Sequence, residues 1–183
     1  KCALPYPQFS KDFSREPAMV RYLDLNRNSK KSPNEKFARE LFELFLLGEG
    51  NYTETDIKEA ARAFTGRRIN PSGYREVANQ FDDGVKTVFG KSGNWDGDDV
   101  IDLAFRQPAA RIFLPSEAIR FYLTETPIPG NKMKLLGDLW AEEDFRLDAL
   151  RRRLFSSRAF YAAEFRGFTY LDSLRNPAHE SRS

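Results

Sequence analysis

A chain of 183 residues, 40% hydrophobic and 31% charged, is long enough to bury one core and too apolar to stay disordered. Its 29 Lys and Arg against 27 Asp and Glu leave a net charge of +2, which argues against a dedicated nucleic-acid or membrane-surface domain. The single Cys, Cys2, and the single His, His179, rule out an intrachain disulfide and a Cys/His zinc site, and the longest apolar run, residues 44–47, spans no membrane.

In chain order, residues 1–13 carry Pro5 and Pro7 without helical periodicity and read as a leader or linker. Ser14 caps a short helix with Pro17 in its first turn, and residues 26–31 form a polar loop. Ser32, Pro33 and Glu35 supply N-cap, N1 and N3 of a capping box. Phe37, Leu41, Leu44 and Phe45 then follow at helical spacing, Phe42 and Leu46 widen the apolar arc, and Gly48 ends the helix. Thr53 caps a second helix, with Ile57, Ala60, Ala61 and Phe64 on one face and Gly66 as its stop.

Residues 74–81 and 85–89 flank Asp82-Asp83-Gly84, the pattern of a β-hairpin with an Asp-Gly turn. Helices are expected over 98–106, 108–124 (broken or kinked at Pro115), 131–142 and 147–155, with a short turn over 159–165. The fold class is mainly α, a multi-helix domain with one small β-hairpin at about residues 74–89. Residues 14–167 form the helical domain, and residues 168–183 a polar tail.

Several patterns bear on chemistry. Glu35, Arg39 and Glu43 lie at i, i+4 and i+8 beside Glu40, which suits either an acid/base pair or an ion-paired strip on the helix. The strip is the simpler account, and Glu35, Arg39, Glu40 and Glu43 remain the catalytic candidates. Asp82, Asp83, Asp96 and Asp98 are candidate oxygen ligands for a divalent cation. Residues 92–103 imitate a calcium loop but place Ser92 and Leu103 where its first Asp and final Glu belong, so no metal or other cofactor is expected. Arg151, Arg152, Arg153 and Arg158 are the one basic cluster; three consecutive helical residues fan too widely to track a phosphate strand, so no nucleic-acid partner is expected.

Two segments carry a resemblance. SPNEKFARELFELFLLG and NYTETDIKEAARAFTG are similar to consecutive signatures of the bacterial family catalogued as domain of unknown function 1800. DDGVKTVFGKSGNWDGDDVIDL, SSRAFY and FRG resemble its later motifs. The resemblance implies a mainly helical chain, part of a larger and often exported protein, and suggests a periplasmic or exterior location. It also implies a partner, a sulfatase- or phosphatase-like protein encoded nearby. No activity is established for the family, so no residue inherits a role. Asn34, Glu35, Arg39, Glu40, Glu43, Arg62, Asp82, Asp83 and Lys86 fall in its signatures, with Asn34, Arg62 and Lys86 as binding candidates. The chain departs from the pattern at Lys36, at Arg67 in place of a Trp, at Phe81 in place of a His, and at Pro115 and Glu117.

Two functions are therefore expected. The first is a non-catalytic domain acting through a protein partner. The second is a carboxylate- or metal-dependent hydrolase of a glycan or a sulfate or phosphate ester. Oligomeric state is left open by the sequence.

Overall fold

The structure is a computed structural model that describes residues 4–124 and 126–161. Helix α1 (Tyr6–Phe13) is followed by α2 (Pro17–Tyr22) and a 3₁₀ turn at Leu25–Arg27. Helix α3 (Lys36–Glu40) continues as a π-helical segment, Leu41–Leu46, and leads to α4 (Glu54–Ala63). Two hairpins come next, β1 (Arg67–Asn70) with β2 (Gly73–Glu76) and β3 (Lys86–Val88) with β4 (Lys91–Gly93). Helices α5 (Gly97–Phe105), α6 (Pro108–Tyr122), α7 (Gly130–Glu142), α8 (Leu147–Phe155) and α9 (Arg158–Tyr161) complete the described chain. The mainly α class with small β-hairpin structure agrees with the sequence reading, and no described helix is long and apolar enough to cross a membrane.

The core is built on Phe37, Phe42, Phe64, Ile57, Ile101 and Trp140, all fully buried. Phe37 packs edge-on against Phe64 at 4.9 Å, which joins α3 to α4. Helix α1 occupies part of the stretch expected to be a leader or linker. Tyr6 explains the difference: it is buried, donates to the Phe45 carbonyl at 2.9 Å, and stacks near Phe9, Phe105 and Trp140. Burial pushes its phenol up to about 12. Ring contacts thus do for α1 what apolar periodicity does for longer helices.

The start of α3 differs from expectation. Ser29 and Ser32 exchange backbone hydrogen bonds in a tight turn and the helix begins only at Lys36, too far along for Ser32 to cap it. The Asn34 side chain instead accepts the Lys36 N–H at 3.0 Å. Further on, the Leu47 N–H reaches back five residues to the Phe42 carbonyl at 2.8 Å. A π turn spaces the inward face more widely than an α turn. Phe37, Phe42, Leu46 and Leu47 are consequently buried, while Leu44, expected in the core, is 60% exposed.

The cap of α4 forms as expected, and α5 is capped in the same way. Thr53 and Asp56 bond reciprocally, as do Asp96 and Asp99. Gly48 and Gly66 both have φ of +80°, the left-handed stop that glycine adopts without strain. The residues expected to form one hairpin divide between two. Arg67 to Asn70 pair with Glu76 to Gly73, and Lys86 to Val88 pair with Gly93 to Lys91. The second turn is Phe89-Gly90, both at positive φ, as a two-residue hairpin requires. Asp82-Asp83-Gly84 lies between the hairpins because Asp82 is held elsewhere. Pro115 sits inside a helix that continues to Tyr122.

Asn28, in the stretch expected to be a polar loop, is fully buried. Its side chain donates to the Ala61 carbonyl at 2.7 Å and accepts the Asn34 N–H at 2.9 Å. Its own carbonyl accepts from the Gly66 N–H at 3.1 Å and from Arg68 Nη1 at 2.8 Å. Replacing Asn28 with Ala should cost about 2–3 kcal/mol, since one buried and one part-buried backbone group lose their partners. A lowered urea midpoint with an unchanged slope is the expected reading.

Candidate functional site

The signature residues separate into two clusters, one at each end of α4. Eight residues divide Glu54 from Arg62, which places them about 12 Å apart along the helix axis.

At the N-terminal end, Arg39 forms a bidentate pair with Glu54, Nη1 to Oε1 at 2.8 Å and Nη2 to Oε2 at 2.7 Å. Glu35 approaches the same guanidinium at 3.3 Å. Hydrogen bonding to Arg39 holds the Glu54 carboxyl below its usual range. Both partners face solvent, so the pair contributes little to stability. Glu43 accepts a hydrogen bond from the Tyr52 hydroxyl. Partial burial, followed by that bond and the adjacent negative charge, raises the Tyr52 phenol to about 12. Glu40 is half-buried on α3, and Asn34 is spent on capping that helix. The Glu35–Arg39 part of the expected strip therefore forms, extended by Glu54 from the next helix.

At the C-terminal end, Arg62 Nε and Nη2 grip Asp82 at 2.8 and 3.1 Å, and Nη1 donates to both Glu59 oxygens at 3.0 and 2.9 Å. Arg62 also donates to the Val85 carbonyl at 3.1 Å, and Glu59 accepts the Thr87 N–H at 3.0 Å. Asp82 additionally accepts the Gly84 N–H at 2.9 Å. The Arg62 hydrogen bonds hold its carboxyl below the usual range. Lys86 is 0% exposed; its ammonium donates to the Gly84 carbonyl at 2.9 Å and lies 4.9 Å from the Phe81 ring centre. Burial pulls its pKa down. This cluster folds the segment between the hairpins onto α4 and presents no open cation to a ligand.

The metal candidates do not converge. Asp82 is committed to Arg62, Asp83 faces solvent, Asp96 caps α5, and Asp98 pairs with Arg15 and Arg67. Among the described residues, no three His, Cys, Asp or Glu side chains are grouped to hold a metal ion.

The pairing of Arg67 with Asp98 has no sequence signal; Asp98 stands among the metal candidates and Arg67 among the departures from the family pattern. Arg67 is almost fully buried and donates to Ser14 Oγ at 2.6 Å and Asp98 Oδ1 at 2.8 Å. Its guanidinium carbon stands 4.9 Å from the Phe64 ring centre. Arg15 takes the other Asp98 oxygen at 2.7 Å. Burial works against the Asp98 charge, but hydrogen bonds from Arg15 and Arg67 prevail and keep its carboxyl low. Beside Arg67 lies a cavity of about 200 Å³, with Ala63, Val77 and Phe81 on its apolar side and Glu76 and Asp96 on its polar side. Arg67 and Phe81, two of the positions that depart from the family pattern, both line it. These ion pairs join segments far apart in sequence, so no local spacing announces them; Glu59 with Arg62 at i and i+3, like Glu35 with Arg39 at i and i+4, is a pair that spacing alone brings together.

A family model described as "Protein of unknown function (DUF1800)" matches residues 5–180. No curated protein and no solved structure matches the chain. The match covers nearly the whole sequence, and the chain belongs to that family.

Two outcomes test this geometry. Asp82 and Asp98 titrate below their ordinary range in the fold, so the stability they supply is complete above the ordinary value and fades as pH falls through the folded one. Asp98→Asn should cost about 2 kcal/mol at pH 7 and progressively less as pH falls below the ordinary carboxylate range, read from urea midpoints at each pH. Lys86 should resist an amine-acylating reagent in the native chain, while exposed Lys91 reacts; denaturant should make the two equally reactive.

Proposed function

Starting from membership of that family, we propose that the chain is a non-catalytic helical domain that works by holding a protein partner. The observation that carries this reading is a strip of five aromatic rings on the surface. Phe121 and Tyr122 meet edge-to-face at 4.7 Å, Tyr122 and Phe155 at 5.1 Å, Phe155 and Phe160 at 4.8 Å, and Phe160 and Tyr161 at 5.4 Å. Phe121 is 62% exposed, Tyr122 44% and Tyr161 69%. Contiguous aromatic surface of this kind is typical of the centre of a protein interface, where rings supply area at low entropic cost.

The hydrolase reading has less behind it. Asp82 is held ionised by Arg62, the opposite of what a general acid needs, Asp83 beside it faces solvent, and the Glu35–Arg39 pair lies at the far end of α4. The partner to try first is the sulfatase- or phosphatase-like protein that the family resemblance implies.

A photoreactive residue placed at position 121 of the full-length protein should cross-link to that partner in cells producing both. The pair Phe121→Ser and Tyr122→Ser should weaken the purified complex at least about tenfold, with the melting profile retained. A cross-link confined to residues 162–183 of the same chain, or an unweakened complex, would overturn the proposal.

A further inference from the structure

A second surface feature shares no lining residue with the aromatic strip or with the two ion-pair clusters at the ends of α4. The end of α5, the first turns of α6 and the start of α7 enclose a cleft of about 480 Å³, within the range of small-molecule sites. Arg106, Arg111 and Lys134 line it, against the single carboxylate of Asp138. Pro108 and Ile112 provide apolar surface beside them, and Gly130 opens α7 at the rim, where the positive end of that helix adds to the field.

The charges in the cleft are not balanced internally. Asp138 is engaged by Arg111 Nη1 at 3.1 Å and by Lys134 Nζ at 2.6 Å. Hydrogen bonds from Lys134 and then Arg111 keep its carboxyl below the usual range. Arg106 is exposed, and its guanidinium has no hydrogen-bond or ion-pair partner among the described residues. A planar guanidinium with five donors matches two oxygens of an oxyanion, and Arg111 keeps donors beyond the one spent on Asp138. Close packing fixes the geometry: a Cβ on Gly137 would stand 2.5 Å from the Arg111 carbonyl oxygen, so α6 and α7 meet backbone to side chainless backbone just beneath the cleft.

We infer that this cleft is a binding site for a small organic oxyanion, its charged end on Arg106 and Arg111 and its apolar body against Pro108 and Ile112. An anion without an apolar body uses only part of the site and binds more weakly.

Calorimetric titration of the full-length protein with phenyl phosphate and with inorganic phosphate tests the inference. Phenyl phosphate should bind more tightly, and Arg106→Ala should weaken it at least about tenfold. Arg151→Ala, an exposed arginine on α8, should leave binding unchanged. Ile112→Ala should weaken phenyl phosphate but not inorganic phosphate, with thermal melts confirming that each variant is folded. Equal losses for Arg106→Ala and Arg151→Ala would reduce the effect to diffuse surface charge and overturn the site. Absence of phenyl phosphate binding at millimolar concentration would overturn it as well, and equal affinity for the two probes would overturn the apolar contact.

Discussion

The buried amide of Asn28 is the constraint on which the first half of the molecule depends. One side chain and one carbonyl satisfy backbone groups before α3, at the end of α4 and just beyond it, together with the Arg68 guanidinium. A buried amide must have its donors and acceptors met, and here they can be met in one arrangement of those segments. The Asn26 side chain extends the same connection by accepting the Ile69 N–H at 2.7 Å. The polar stretch before α3 is therefore the internal brace of the α3–α4 unit, and the first hairpin is anchored to it.

Ionic groups act in the same manner. Arg62 with Asp82 and Glu59, and Arg67 with Asp98 and Ser14, each bind a loop or strand to a helix. Arg67 is almost fully buried and Arg62 partly so, and both are multiply bonded, which makes their geometry specific whatever their net contribution to stability. Arg39 and Glu54, by contrast, meet in solvent and link the starts of α3 and α4 loosely. The strongest family signatures thus fall on residues that organise the scaffold, whereas the aromatic strip and the cationic cleft draw on α5 to α9.

Elements whose signals are local were legible in the sequence. Thr53 with Asp56 and Asp96 with Asp99 are caps built within four residues, and Gly66 marks a stop that no Cβ would tolerate, with the Val77 carbonyl oxygen 2.9 Å away. Elements fixed by distant partners were not. Helix α1 carries Tyr6, Phe9 and Phe13 at i, i+3 and i+7, a short period masked by Pro5 and Pro7, and is held by Tyr6 contacts to Phe45, Phe105 and Trp140. The strand pairing was misjudged because Asp82-Asp83-Gly84 has turn chemistry, yet Arg62, twenty residues upstream, claims Asp82. For the candidate site, spacing gave Glu35 with Arg39 but not Glu54, and nothing in the sequence near Arg106 showed that α7 would bring Lys134 and Asp138 beside it.

The π-helical segment at Leu41–Leu46 has a consequence for how this part of the chain tolerates changes in length. Each residue of an α-helix turns the chain by about 100°, so the wider π turn leaves the exit at Gly48 aimed differently from that of an unbroken helix. Loss of one residue there would rotate the following loop, and with it the whole of α4, around the α3 axis. The segment behaves as a phase setting for the polypeptide: its length decides the direction in which everything after it is laid down.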